Sequence, residues 1–204
     1  MIKRSAGILL HPSSLPGPYG IGDFGAAARS FLRRLHDARQ SHWQILPLSP
    51  PDAFGCPYSA LSAFAINEWL IDPQGAIVSD FVDETDLDPI KSETIDMVDR
   101  MDIAVVGGAK TRLLDLAYQR WAKTRKDEAD LHRFCRKHEH WLDDFALFQA
   151  LSIESGDDWR RWDPGLVQRR DDSLRLARSQ RPSQIERQKF AQWVAFSQIG
   201  RAHV

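Results

Sequence analysis

The sequence predicts an α/β chain built on parallel strands, and three observations carry that prediction. Two short apolar runs, residues 6–10 and 43–48, read as strands buried on both faces. Between them, residues 26–40 place Ala27, Phe31, Leu32 and Leu35 on one helical face and arginines on the other. Each run leads into a long loop stiffened by proline, 11–25 after the first and another Pro-rich stretch after the second. Strand, loop, helix, strand is one βαβ crossover, and such a crossover joins parallel strands. Long loops at the C-terminal ends of strands suit a (β/α)8 barrel, where sites are built from them. A doubly wound sheet is the rival. Its phosphate-binding form wants glycines directly between strand and helix. Here Gly20, Gly22 and Gly25 come late, and Asp23 among them would repel a phosphate.

The rest of the chain is unlike this opening. Residues 1–75 are apolar and rich in Pro and Gly, whereas residues 76–198 are charged and helical in pattern. Periodicity predicts helices over about 93–105, 109–124, 128–138, 140–155 and 185–196, with Gly107 and Gly108 separating the first two. Lys110 and Thr111 after those glycines do not make a phosphate loop, because Ala109 stands where the motif's second glycine belongs and no strand precedes it. His132, Cys135 and Glu139 share a helix face, but Arg133, Arg136 and Lys137 crowd the same turns. A metal site also needs ligands from a second element, so a solvated polar helix is expected, with no metal and no cofactor. His11 and Asp23 in the first loop read as bracing groups rather than ligands.

Composition narrows the function. The 204 residues carry 27 basic and 28 acidic side chains, a net charge of -1, which leaves no whole-molecule field for a nucleic-acid backbone or an anionic membrane. Two cysteines cannot make a disulfide framework. No run approaches the roughly 20 apolar residues that span a bilayer, and the first residues hold no signal-peptide core, so a cytoplasmic protein is expected. The seven tryptophans offer flat faces suited to stacking on sugars, although most helix-borne tryptophans pack into cores.

Longer motifs then point to a family. They are Arg4-Ser5-Ala6-Gly7-Ile8-Leu9-Leu10-His11-Pro12, Ser14-Leu15-Pro16-Gly17-Pro18-Tyr19-Gly20-Ile21-Gly22-Asp23, and Trp43-Gln44-Ile45-Leu46-Pro47-Leu48. Gly55-Cys56-Pro57-Tyr58-Ser59 follows, with Ser62-Ala63-Phe64-Ala65 and Asn67 after it, and His140-Trp141-Leu142-Asp143-Asp144-Phe145 much later. In this order they resemble the opening of the amylomaltases, the 4-α-glucanotransferases of glycoside hydrolase family 77. The resemblance covers almost the whole chain but only the front of the family.

The resemblance implies a (β/α)8 barrel with helical insertions. This chain would hold about two of its strands: residues 1–75 begin the barrel with its substrate-lining loops, and 76–198 form a mostly helical insertion subdomain. It implies a reaction in which an α-1,4-glucan is cut, held covalently and passed to another sugar hydroxyl, with maltose, maltotriose and maltodextrins as partners. Tyr58 matches the family tyrosine beside the scissile bond, where a phenol can support a sugar face and bond a hydroxyl. Cys56 stands where many relatives have serine, and a thiol does not replace a hydroxyl as a strong donor. Phe54, or Ala53 beside it, falls where some members carry a further aromatic glucan contact. Retention at an anomeric carbon needs two carboxyl groups about 5 Å apart. The resemblance puts the nucleophilic aspartate, the acid/base glutamate and a stabilising aspartate beyond residue 204. Asp23, Asp52 and Asp72 match none of them, so no catalytic residue is expected within this chain and it should be inactive alone. A non-catalytic carbohydrate-binding relative is the alternative. Residues 199–204 match one reading-frame translation of a common sequencing adapter and are expected to be a non-native tail. The other reading makes Gly200 a natural helix cap. Two strands alone should leave Ile8, Leu10, Ile45 and Leu46 uncovered and the chain prone to aggregate.

Overall fold

The computed structural model describes residues 4–52, 54–75, 78–94, 101–156 and 158–199. Strand β1 (Gly7–Leu9) pairs in parallel with β2 (His42–Gln44), with Ile8 opposite Trp43. Backbone bonds extend the ladder at both ends, from Ser41 N to Ala6 O at 2.8 Å and from Leu10 N to Gln44 O at 3.0 Å. Gly7 permits the close approach, since a Cβ there would lie 2.5 Å from His42 O. Helix α1 (Ala26–Asp37) is the crossover. It sets the Phe31 ring edge-on to Trp43 at 5.0 Å, and the Trp43 indole N–H reaches back to Leu10 O at 2.7 Å. The predicted βαβ order is therefore present, in strands shorter than their apolar runs.

Burial on both strand faces is not found. Ile8 is 43% exposed, Leu9 56% and Ile45 39%, because among the described residues no second layer lies over them. Leu10 and Leu46, expected to be uncovered too, are half-buried.

Contacts divide the chain into two units, Met1–Thr124 with Val194–Val204, and Arg125–Trp193. The composition break after residue 75 lies elsewhere: α2 (Glu84–Thr94) and α3 (Ile103–Thr124) both fall within the first unit. Its core buries Leu70, Ile71, Val78 and Leu87 together with Val106, Leu113, Leu114 and Ala117 of α3, and α3 packs on α2 and on the turn at Glu68–Leu70. The predicted break at Gly107-Gly108 is absent, and α3 runs through both glycines. Gly107 serves packing instead, since a Cβ there would lie 2.7 Å from the Trp69 indole. The predicted helix over 93–105 is not one element either. Residues 95–100 lie outside the described residues, and α3 starts at Ile103 behind Asp102, whose carboxylate accepts from Ala104 N and Val105 N at 2.9 and 3.1 Å.

In the second unit, α4 (Glu128–Ser155) is one helix of 28 residues where two were predicted. The short α5 (Pro164–Val167) and α6 (Asp171–Gln180) follow, then α7 (Pro182–Ile199), whose last residues belong to the first unit. Leu147 and Leu151 of α4 close on Ala177 of α6, with Trp162, Leu166, Leu174 and Ile185 packed around them. Asp144 pairs with both Arg169 and Arg178 at the rim. Ile199, the first residue of the expected tail, lies in α7, and Gly200 onward lies outside the described residues. Among the described residues no helix is long and apolar enough to cross a membrane.

Candidate functional site

The loop leaving the C-terminal end of β2 is built largely from its own short-range bonds. Asp52 organises its first turn: its carboxylate accepts from Phe54 N and Cys56 N, both at 3.0 Å, and its carbonyl accepts from Gly55 N at 3.0 Å. Gly55 sits at φ +76°, a conformation that an L side chain resists. Leu61 N closes the loop on Pro50 O at 3.0 Å, and Asn67 N ties its exit to Leu48 O at 2.7 Å. The Ser62 hydroxyl accepts from Phe64 N and Ala65 N at 3.1 Å.

A backbone satisfied internally is free to turn large side chains outward. Phe54 is 87% exposed and Tyr58 72%, and Leu61 and Phe64 are exposed on the same loop. Cys56 is turned back instead. Its thiol pKa lies below the ordinary value, through hydrogen bonding from the Tyr58 N–H first and then from Ser59. Of the three residues singled out in sequence, Phe54 and Tyr58 are therefore displayed on one loop, and Cys56 is half-buried between them, its backbone bonded to Asp52 and Ser59. Ala53 lies outside the described residues. Phe64, which the sequence reading placed in the motif Ser62-Ala63-Phe64-Ala65 without naming it as a sugar contact, is exposed on the same loop.

Beneath the first loop lies a buried charge cluster. Lys110 Nζ, 1% exposed, donates to Asp23 Oδ2 at 3.0 Å and to Ile71 O at 2.8 Å, and it sits 5.0 Å from the centre of the Tyr19 ring. The other Asp23 oxygen accepts from Gly25 N at 3.0 Å. Burial pushes the Asp23 carboxyl up and the Lys110 ammonium down, while their mutual contact opposes both shifts. The Tyr19 phenol is pushed up to about 12, by burial first and then by the nearby carboxylates Asp23 and Asp72. Gln198 brackets Asp72 from α7, accepting from its N–H at 2.8 Å and donating to its carbonyl at 3.0 Å. Asp23 is thus a brace, as is His11, which bonds the Ser13 hydroxyl at 2.7 Å and Pro47 O at 3.3 Å. The sequence did carry one signal for Lys110, a lone cation on an apolar helical stripe.

A separate apolar cavity of about 320 Å³ opens between α1 and β2, against Pro12, Phe24, Ala28, Leu32, Trp43 and Ile45. Among the described residues no three His, Cys, Asp or Glu side chains gather as a metal set. His132 lies 3.8 Å from Glu128.

Comparison with known proteins places the whole of this arrangement in one family. Residues 10–204 match the family model described as 4-alpha-glucanotransferase. The chain belongs to the 4-alpha-glucanotransferase family. It is 38% identical over 199 residues to the 4-alpha-glucanotransferase of Aquifex aeolicus, a match covering 96% of this chain and 39% of that protein. It is 36% identical over 202 residues to that of Thermus thermophilus, again covering 39% of the relative. The solved amylomaltase of Streptococcus agalactiae, in complex with acarbose, overlays with a TM-score of 0.91 at 30% identity, over 98% of this chain and 40% of that one. The chain thus spans about two fifths of the length of the curated relatives it matches. Within the 4-alpha-glucanotransferase fold, the β1–α1–β2 unit is part of the TIM barrel, and it is accompanied by a mostly helical part.

Proposed function

We infer that this chain is the front part of a cytoplasmic 4-alpha-glucanotransferase. Such an enzyme moves α-1,4-glucan segments between maltodextrins by retaining double displacement. The observation that carries this reading is the exposed aromatic loop at the C-terminal end of β2, in a chain of that family. Tyr58 offers a ring face to a glucose unit and a hydroxyl to its oxygens, and Phe54 offers a second apolar face. Cys56 shapes the loop, and its contribution to sugar contact is secondary. The acarbose in the Streptococcus agalactiae amylomaltase supports a glucan-shaped ligand.

The chemistry needs two carboxyl groups about 5 Å apart across the glycosidic bond. Asp23 is committed to Lys110 and Asp52 to its turn, so neither is free for that work. The reacting carboxylates are assigned to the part of the relatives that this chain does not span. The test is expression of the whole gene with maltotriose, which should yield glucose and longer glucans, while the 204-residue chain alone should yield neither. Free maltotriose unchanged by the whole gene product would overturn the reading.

A further inference from the structure

The segment that carries Tyr58 is laid along one face of α3. Ile103, Gly107 and Lys110 follow at spacings of four and three, which places them on one stripe of that helix. Each meets a different point of segment 55–71. A Cβ on Gly55 would lie 2.5 Å from Ile103 Cδ1, so the isoleucine sits directly against the turn three residues before Tyr58. Gly107 lies against the Trp69 indole, and Lys110 holds Ile71 O at 2.8 Å. Thr111, one residue on, reaches Glu68 Oε1 at 3.4 Å.

The bonds inside the loop fix its shape but not where it stands. Asp52 and Cys56 would hold the same turn whether the loop leaned toward the barrel mouth or away from it. Its stance must come from outside the loop, and Ile103 presses on the loop's own turn at Gly55, which is held at positive φ. The support is itself stiff: Asp102 caps the first turn of α3, and about two turns further on the buried Lys110 pins the helix to Asp23 and Ile71.

We propose that Ile103 is a positioning residue for the glucan-contacting loop, holding the Gly55 turn and through it the Tyr58 ring. This rests on the sugar contact assigned to Tyr58. The residue never touches sugar. It limits the orientations that Tyr58 samples, so its loss weakens glucan binding through the loop alone.

The test combines hydrogen exchange with titration by maltoheptaose on the 204-residue chain, kept dilute, comparing Ile103→Ala, Ile103→Val and Tyr58→Ala. Ile103→Ala should speed exchange at Phe54, Cys56 and Ser59 by about tenfold while peptides of α4 exchange as before. Its maltoheptaose dissociation constant should rise about fivefold, and Ile103→Val should recover only part of that loss, because valine keeps the Cγ1 carbon but lacks the Cδ1 that meets the turn. Unchanged exchange in the loop, or equal acceleration throughout the chain, overturns the proposal. So does faster loop exchange with unaltered affinity, provided that Tyr58→Ala weakens binding. If Tyr58→Ala binds maltoheptaose as the parent does, or the parent binds none, the sugar contact itself fails. The exchange measurement still decides whether Ile103 holds the loop.

Discussion

Cys56 and Cys135 differ only in their surroundings, yet those surroundings push their thiols in opposite directions. Hydrogen bonds from Tyr58 and Ser59 lower the first, and burial on α4 raises the second. Alkylation by iodoacetamide at neutral pH, followed by peptide mass mapping, should therefore mark Cys56 well before Cys135. Tyr19 gives a prediction with a pH axis. Its phenol holds its proton to about 12 in the folded chain against an ordinary value of 10. The stability it contributes is full below pH 10 and is lost as pH rises through 12. Denaturant midpoints between pH 9 and 12 should show that loss, and Tyr19→Phe should flatten it. Asp23 and Lys110 are coupled more tightly. Asp23→Asn leaves a buried ammonium without its counter-charge and should cost about 3–5 kcal/mol, read from chemical unfolding. Adding Lys110→Met should recover much of it, since an apolar side chain of similar length needs no partner.

Helix α3 allows a paired comparison between neighbouring glycines. Alanine favours a helix interior over glycine by about 1 kcal/mol, and both Gly107 and Gly108 lie in the interior. At Gly108 an added methyl meets only the tip of Arg112 at 3.4 Å, so Gly108→Ala should stabilise by roughly that amount. At Gly107 the same methyl would lie 2.7 Å from the Trp69 ring. Gly107→Ala should then destabilise by about 1–3 kcal/mol, the usual cost of overpacking. Thermal melts of the two variants should move in opposite directions, and a stabilised Gly107→Ala would mean that Trp69 yields. The contrast shows why Gly107 and Gly108 read as a helix break. In a one-dimensional pattern both weaken the helix equally, and only the indole arriving from residue 69 distinguishes them.

For the whole molecule, the exposed apolar side chains on β1 and beside β2 are the decisive feature. Ile8 and Leu9, which point to opposite faces of β1, and Ile45 leave apolar side chains open beside strands that pair only with each other among the described residues. The 204-residue chain should bind an apolar dye such as anilinonaphthalene sulfonate and self-associate as its concentration rises, as sedimentation velocity would show. A dye-silent monomer with one sharp melt would contradict this. Charges within the second unit, by contrast, are paired across its surface, Asp144 with two arginines and Glu154 with Arg181, so association should proceed through the strands.

The sequence by itself determined whatever depends on near neighbours. Apolar runs, a helical stripe and the proline-rich loops specified the βαβ crossover, and the resemblance of Gly55 to Ser59 to a family motif singled out Tyr58, whose loop is shaped by local bonds to Asp52 and by the glycine at positive φ. Tertiary structure decided what depends on residues far apart in the chain. Trp69 came to pack on Gly107 within a continuous α3, Asp23 gave Lys110 a counter-charge 87 residues away, and Ile103 came to rest under Gly55. It also decided which of the strand side chains expected to be uncovered are so: Ile8 and Ile45 are exposed, whereas Leu10 and Leu46 are half-buried. The physical reason is the same in each case. Periodicity records which face of an element is apolar, but not which distant side chain, if any, arrives to cover it.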